Sequence, residues 1–142
     1  MNDPVAKKPD HTVLLLAAET AGDLMTPNLI SIRDSATTEE ATAFFADHGF
    51  SASVVIDEAG RPLGVLSKSD LLVHNREARP GGGTTFVRDL MTPAVFSTRT
   101  DTSARDVIDQ LVSLNVHQLY VVDDTGLLVG VITPLDVLRR IE

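Results

Sequence analysis

The apolar residues of this chain keep two rhythms, and they switch between them in the same order twice. Between Thr37 and Gly49, Ala41, Phe44 and Phe45 fall on one side of a 3.6-residue turn, and between Ser103 and Asn115 so do Val107, Ile108, Leu111 and Leu114. Thr37 with Glu40, and Ser103 with Asp106, are S/T-x-x-D/E capping boxes that open these helices. Gly49 and Asn115 close them, because both residue types tolerate the left-handed backbone of a helix stop. The rhythm then shortens to apolar runs split by turn residues. Val54–Ile56 and Leu63–Leu66 flank Asp57–Gly60, and Tyr120–Val122 and Leu128–Ile132 flank Asp123–Gly126, which predicts two β-hairpins. A β-prone stretch precedes each helix, Leu29–Ile32 and Val95–Thr98, and a second helix follows each hairpin, Ser69–His74 and Pro134–Ile141. The predicted order is β-α-β-β-α, twice.

The two halves hold one register. The phrase DLMTP at Asp23–Pro27 returns at Asp89–Pro93, and the same shift of 66 carries Asp57 to Asp123, Gly64 to Gly130 and Asp70 to Asp136. What recurs is the residue type that backbone geometry demands, the mark of a duplicated structural unit. A strand-helix-strand succession implies a right-handed parallel crossover, and the hairpin adds an antiparallel neighbour. One unit of roughly fifty residues leaves a sheet face bare and is marginal alone. Two units related by a pseudo-twofold axis bury those faces and leave two equivalent clefts between them. The expected fold class is therefore α/β with mixed sheets. Residues 1–16 are a tail and the start of an opening helix, 17–74 the first repeat, 75–84 the linker and 85–142 the second repeat. Arg76–Thr85, with Pro80 and three glycines, has linker character.

Composition narrows the function. A net charge of −8 argues against nucleic-acid backbones and anionic membranes as partners. No cysteine is present, which excludes disulfides, thiolate metal sites and cysteine nucleophiles. The run Val13–Ala18 is too short to span a bilayer, and a cytoplasmic location is expected. His11, His48, His74 and His117 show no metal-ligand spacing. No nucleophile elbow or phosphate loop appears, and Gly81–Gly83 follows Pro80 rather than a strand, so no enzyme is expected. Arg33 and Arg99, at the ends of the first strands, are cleft cations or solvated edge charges. Arg139 and Arg140 are expected to complement a helix C-terminus.

With these landmarks in place, the chain resembles the tandem CBS (cystathionine-β-synthase) domain pair. Its members open with D-h-M-T-P, pass through V-V-D-x-x-G and close with G-h-h-T/S-x-x-D-h-h, here Gly64–Leu72 and Gly130–Leu138. The likeness runs from about Ala21 to Glu142, with every landmark in both copies. It implies a standalone regulatory module that binds an adenosine derivative (AMP, ADP, ATP or S-adenosylmethionine) between the repeats, forms a homodimer and acts on an effector protein. The alternative is a structural dimerisation module whose clefts are empty.

Asp70 and Asp136 stand at the third position of a helix, where a carboxylate can accept both hydroxyls of a ribose. Ser67 and Thr133 stand at the N-caps beside free amides suited to phosphate. The resemblance implies that Asp136 and Thr133 face Thr26, Asn28, Leu29, Phe50, Ser51 and Ala52 of the first repeat. Asp70 and Ser67 would face Thr92, Ala94, Val95, Val116, His117 and Gln118 of the second. The same Ser67-x-x-Asp70 and Thr133-x-x-Asp136 patterns also make helix capping boxes, which need no ligand, and Pro134 suits the first helical position. The chain departs from the family at two places per repeat. A basic residue that helps neutralise phosphate is replaced by Ala52 and Gln118, and a proline by Val54 and Tyr120. Lys68 and His117 supply cations near Asp70, whereas Pro134 stands at the Lys68 position of the other copy. The Asp70 cleft is expected to be the tighter.

Overall fold

A computed structural model describes residues 15–142, so the tail and the start of the expected opening helix lie outside the described residues. The helices are α1 (Ala21–Leu24), α2 (Thr38–His48), α3 (Lys68–Glu77), α4 (Val87–Leu90), α5 (Ala104–Leu114) and α6 (Pro134–Leu138). The strands are β1 (Thr26–Pro27), β2 (Ile32–Arg33), β3 (Ala52–Ile56), β4 (Pro62–Ser67), β5 (Ser97–Arg99), β6 (Leu119–Val122) and β7 (Leu128–Ile132). They form two sheets, β2-β3-β4 and β1-β7-β6-β5. β2 is parallel to β3 and β5 to β6, while the hairpins β3-β4 and β6-β7 are antiparallel. This is the mixed α/β fold of two β-α-β-β-α repeats that the apolar pattern predicts.

Local chemistry explains where the elements begin and end. Thr37 Oγ1 accepts from the Glu40 amide at 3.1 Å, and Glu40 Oε1 accepts from the Thr37 amide at 2.8 Å. In the second repeat only half of the box forms: Ser103 Oγ accepts from the Asp106 amide at 3.1 Å. Gly49 and Asn115 stop their helices with φ of 67° and 52°. Each hairpin is held by its first aspartate. Asp57 Oδ1 accepts from the amides of Ala59 and Arg61, both at 2.9 Å, and Asp123 Oδ1 from those of Thr125 and Leu127 at 2.9 and 3.0 Å.

The repeats are interlocked rather than side by side. β1 pairs with β7 of the other repeat, Thr26 opposite Val131, and a bridge between Thr92 and Val65 is its counterpart. The short helices ahead of these strands cross over too. The Ala21 amide donates to Thr102 O at 2.8 Å, and the equivalent Val87 amide donates to Ala36 O at 2.8 Å. Gly22 to Thr100 and Arg88 to Asp34 form a second such pair, at 3.0 and 3.1 Å. Two-residue strands and four-residue helices carry no readable period, so the apolar pattern does not predict this exchange.

Two glycines make room for it. A Cβ on Gly130 would lie 2.6 Å from Met25 Sδ and 2.8 Å from Thr26 O, and one on Gly64 would strike Thr92 O outright. Each Met-Thr lies over the glycine of the opposite repeat. That is why D-h-M-T-P and G-h-h-T/S recur together.

The cores follow the same exchange. Ala21 and Leu24 complete a core made by Ala104, Val107, Leu111, Leu119, Val121 and Ile132. Val87 completes the other, with Ile32, Ala41, Phe45, Val55, Leu66 and Leu71. Leu66 and Ile132, equivalent residues, are both wholly buried, and each such side chain contributes about 1.5–3 kcal/mol. A third cluster, Val54, Tyr120 and Val131 flanked by Leu29, Val65, Val95 and Leu128, joins the two sheets.

Several boundaries differ from those the pattern predicts. β2 and β5 start at Ile32 and Ser97, later than Leu29 and Val95, because Leu29 and Val95 are drawn into the third cluster and Asn28 takes a left-handed φ of 57°. α3 continues to Glu77, with no breaker before Pro80 and with His74 and Arg76 favourably placed in its last turn. α6 stops at Leu138, because Ile141 leaves the helix to bridge Leu16. Leu15–Thr20 is not helical, and its backbone pairs with the C-terminus instead, Ala17 N–H to Arg140 O at 2.7 Å and Glu142 N–H to Leu15 O at 2.9 Å.

Candidate functional site: the clefts between the repeats

The late start of β2 and β5 leaves the residues after each Thr-Pro outside the sheets. Two cavities form beside them. The wider, about 570 Å³, is lined by Val65 of the first repeat and by Thr92, Ala94, Val95, Phe96, Val116, His117, Gln118, Tyr120 and Thr133. The narrower, about 200 Å³, is lined by Leu29, Ile30, Phe50, Ala52, Ser53 and Val54, with Gln118 and Tyr120 reaching in from the second repeat. The six second-repeat residues singled out in the sequence thus line one cavity, and Leu29, Phe50 and Ala52 line the other.

Asp136 is buried at the third position of α6, with 9% of its surface exposed. Its Oδ2 accepts from the Thr133 amide at 2.8 Å and from Thr133 Oγ1 at 3.0 Å. Its Oδ1 accepts from Thr26 Oγ1 at 3.2 Å, with Arg139 Nη1 3.8 Å away. The structure therefore joins Asp136 to Thr26 across the repeats, whereas Thr133 lines the wider cavity rather than the narrower one to which the resemblance matches it. Asn28 and Ser51 are exposed and line neither cavity, and Ser51 offers its carbonyl to the Lys68 amide at 2.8 Å.

Asp70 is placed differently. Its Oδ2 accepts from the Ser67 amide at 3.0 Å, while Oδ1 has no hydrogen-bond partner among the described residues. It borders a cavity of about 730 Å³ beside the linker, together with Glu39, His74, Glu77 and Asp89. Ser67 lies two residues beyond Val65, which exchanges two backbone hydrogen bonds with Thr92 at 3.0 and 2.9 Å. The start of α3 thus stands near the edge of the wider cavity, although neither Ser67 nor Asp70 lines it. Lys68 borders a separate depression of about 190 Å³ with Thr42, Phe45 and Leu71, because its position on α3 turns it toward α2.

The remaining charged candidates sort themselves. Arg99 pairs with Asp101 and Asp124 at 3.9 and 3.3 Å, and Arg33 borders a cavity of about 900 Å³ with Asp57, Glu58, Arg61 and Arg88. Both belong to the far ends of the sheets, away from the clefts. Arg140 donates to Ala17 O at 3.1 Å and to Asp23 O at 2.6 Å, which satisfies a carbonyl at the end of α1. His48 packs on Phe50, ring centroids 5.2 Å apart. No group of three or more potential metal ligands occurs among the described residues. No described helix is long and apolar enough to cross a membrane.

Chemistry rather than size favours the wider cavity as a ligand site over its larger neighbours, since all three volumes fall in the ordinary range of about 300–1,000 Å³ for small-molecule pockets. Val65, Val95, Val116 and Tyr120 offer apolar walls for a flat ring, and Thr92, His117, Gln118 and Thr133 offer hydrogen bonds. The linker cavity, by contrast, gathers four carboxylates and would repel an anion. Sequence reasoning missed Val65, Phe96 and Tyr120. Strand alternation would have shown Tyr120, which shares a face with Gln118 two residues earlier. Burial raises the Tyr120 pKa above its ordinary value, which keeps the hydroxyl a neutral donor, and it donates to Gln118 Oε1 at 2.8 Å.

The same landmarks appear in known proteins. The model of the CBS domain matches residues 21–76 and 87–142. The magnesium transporter MgtE of Thermus thermophilus is 34% identical over 145 residues, covering 99% of this chain and 31% of the transporter. The chain therefore spans about a third of that relative's length. Among solved structures, CBSX2 in complex with AMP is 31% identical with a TM-score of 0.67, over 84% of this chain and 93% of that one. The cytosolic domain of the Mg²⁺ channel MgtE in complex with ATP is 37% identical with a TM-score of 0.69, over 85% and 48%.

Proposed function

Since this chain belongs to the CBS domain family and carries the domain twice, we propose that it is a non-enzymatic regulatory module that binds an adenine nucleotide, AMP or ATP, in the wider cleft. The observation that carries the reading is the cavity beside the bridge between Thr92 and Val65, apolar on its walls and polar on its rim. Similar chains solved with AMP and with ATP support it.

In this reading adenine enters between Val95 and Val116, and the backbone on either side of each reads its edge. The ribose approaches the start of α3, where the unused Oδ1 of Asp70 accepts its hydroxyls. The phosphate lies toward His117 and the Ser69 amide, since the Lys68 and Asp70 amides already donate to Ser51 O and Ser67 Oγ. A helix end supplies only about 0.3–1 kcal/mol to an exposed charge, and a micromolar ligand needs about 8 kcal/mol. Base burial therefore carries most of the affinity.

Regulation follows from the interlock. A ligand held against the Thr92–Val65 bridge and the second repeat's hairpin favours one relative setting of the repeats, and it shifts that equilibrium only by its differential affinity for the two settings. Leu72, Leu135 and Leu138 on α3 and α6 are more than half exposed, and they form the face on which a second copy packs in this reading. An effector protein would then sense the setting of the pair.

Thermal unfolding with AMP, ADP, ATP, NAD and S-adenosylmethionine tests the proposal. A nucleotide at a hundred times its Kd stabilises by about 2.7 kcal/mol, and saturable stabilisation by AMP or ATP with the nucleotide recovered unchanged is expected. No stabilisation across the panel would favour a scaffold with empty clefts.

A further inference from the structure

The geometry points to Tyr120 and Gln118 as a plug that leaves this chain one working nucleotide cleft rather than two. This inference rests on the nucleotide reading above and specifies how many sites it has. The two clefts are equivalent by register, yet their volumes are about 570 and 200 Å³. Only the first reaches the range of about 300–1,000 Å³ in which small ligands are held.

The difference lies at one pair of equivalent positions. On β3 the cleft-facing residues are Ala52 and Val54, and 66 positions later they are Gln118 and Tyr120. Residues two apart on a strand share a face, so each pair acts as one surface. The narrower cavity is otherwise built wholly from first-repeat residues, and Tyr120 on β6 and Gln118 just ahead of it, which also line the wider cavity, fill its remaining side. They are held there. Tyr120 is 6% exposed and clusters with Val54 and Val131, and its hydroxyl donates to Gln118 Oε1 at 2.8 Å.

The carboxylates tell the same story independently. Both oxygens of Asp136, the acid matched to the narrower cleft, are already engaged within the protein. Asp70, matched to the wider one, keeps Oδ1 without a hydrogen-bond partner among the described residues.

Titration calorimetry of the full chain with AMP tests this. The native chain should bind one AMP. Both residues also line the wider cleft, so the double variant Gln118→Ala/Tyr120→Val, which copies the first repeat's pair, should bind two AMP, the one in the wider cleft more weakly than in the native chain. Tyr120→Phe keeps the ring and should still bind one, and Tyr120→Leu, a milder truncation that guards against misfolding of the double variant, should gain a second, weaker site. Two AMP on the native chain, or truncated variants with circular dichroism unchanged in which AMP shifts no backbone amide of Phe50–Ala52 in the narrower cleft, overturns the plug while leaving the nucleotide reading intact. No AMP on any of the four chains removes that reading, and the plug with it.

Discussion

Gly64 and Gly130 each lie under the Met-Thr pair of the opposite repeat, whereas Ala52 at the start of β3 and Gln118 just ahead of β6, equivalent by register, share neither size nor polarity. The first pair is fixed by backbone crossing backbone, where an added methyl has nowhere to go. The second faces a cleft, where a side chain can change without unseating a strand. Duplication thus preserved what the interlock needs and released what a ligand would touch. The two repeats are one scaffold carrying two different clefts.

Several measurements sharpen or break that comparison. The largest effects should come from the equivalent core residues Leu66 and Ile132, both wholly buried. Truncating either to alanine should cost about 2–5 kcal/mol in urea unfolding. A loss under 1 kcal/mol at one of them would show that the repeats do not share the stabilising load.

Next come the glycines. Gly64→Ala forces the Thr92 carbonyl to move, whereas Gly130→Ala meets the Met25 thioether, which can swing aside, and the Thr26 carbonyl at 2.8 Å, a milder clash than that with Thr92. Overpacking costs of about 1–3 kcal/mol are expected, larger at Gly64. Equal and negligible losses would mean that the exchanged strands are not seated as described.

The caps should separate the repeats more gently. Thr37→Ala removes a reciprocal box and should cost about 1 kcal/mol, near the middle of the range for N-caps. Ser103→Ala removes a single bond and should cost less. The reverse order in thermal unfolding would contradict the assignment of a half-made box.

The smallest effect is a pH dependence that the two hairpins share. The Asp57 carboxylate is held below its usual pKa by the Arg61 amide, and that of Asp123 by the Thr125 hydroxyl and the Leu127 amide. Asp23 is lowered likewise by the Glu19 and Thr20 amides. A carboxylate with a lowered folded pKa adds stability that is fully present above its unfolded pKa of about 4 and is lost as pH falls through the folded value. The melting temperature should therefore drop below about pH 4, and Asp57→Asn with Asp123→Asn should flatten that drop. An unchanged slope in the double variant would remove the hairpin aspartates from the account.

Much of this was legible in the chain. The helices with their caps, the hairpins and the 66-residue register follow from side-chain period and turn chemistry, which act locally. The exchange did not follow, because α1, β1 and their counterparts are too short to show a period and owe their place to the other repeat. Its one trace is the pairing of Met25-Thr26 with Gly130 and of Met91-Thr92 with Gly64, a long-range fit that no local window contains. Among the candidate site residues, Thr92, Ala94, Val95, Val116, His117 and Gln118 line one cavity, which Ser67 and Asp70 do not line. Lys68 does not join them, since the direction of a side chain on α3 depends on how α2 packs beside it.

The most direct test of the nucleotide cleft is to follow backbone amide resonances while AMP is added. The account predicts saturable shifts concentrated at Ala94, Val95, Val116, His117 and Gln118. Shifts confined to the linker cavity around Glu39, His74 and Asp89, or none at saturating AMP, would contradict it.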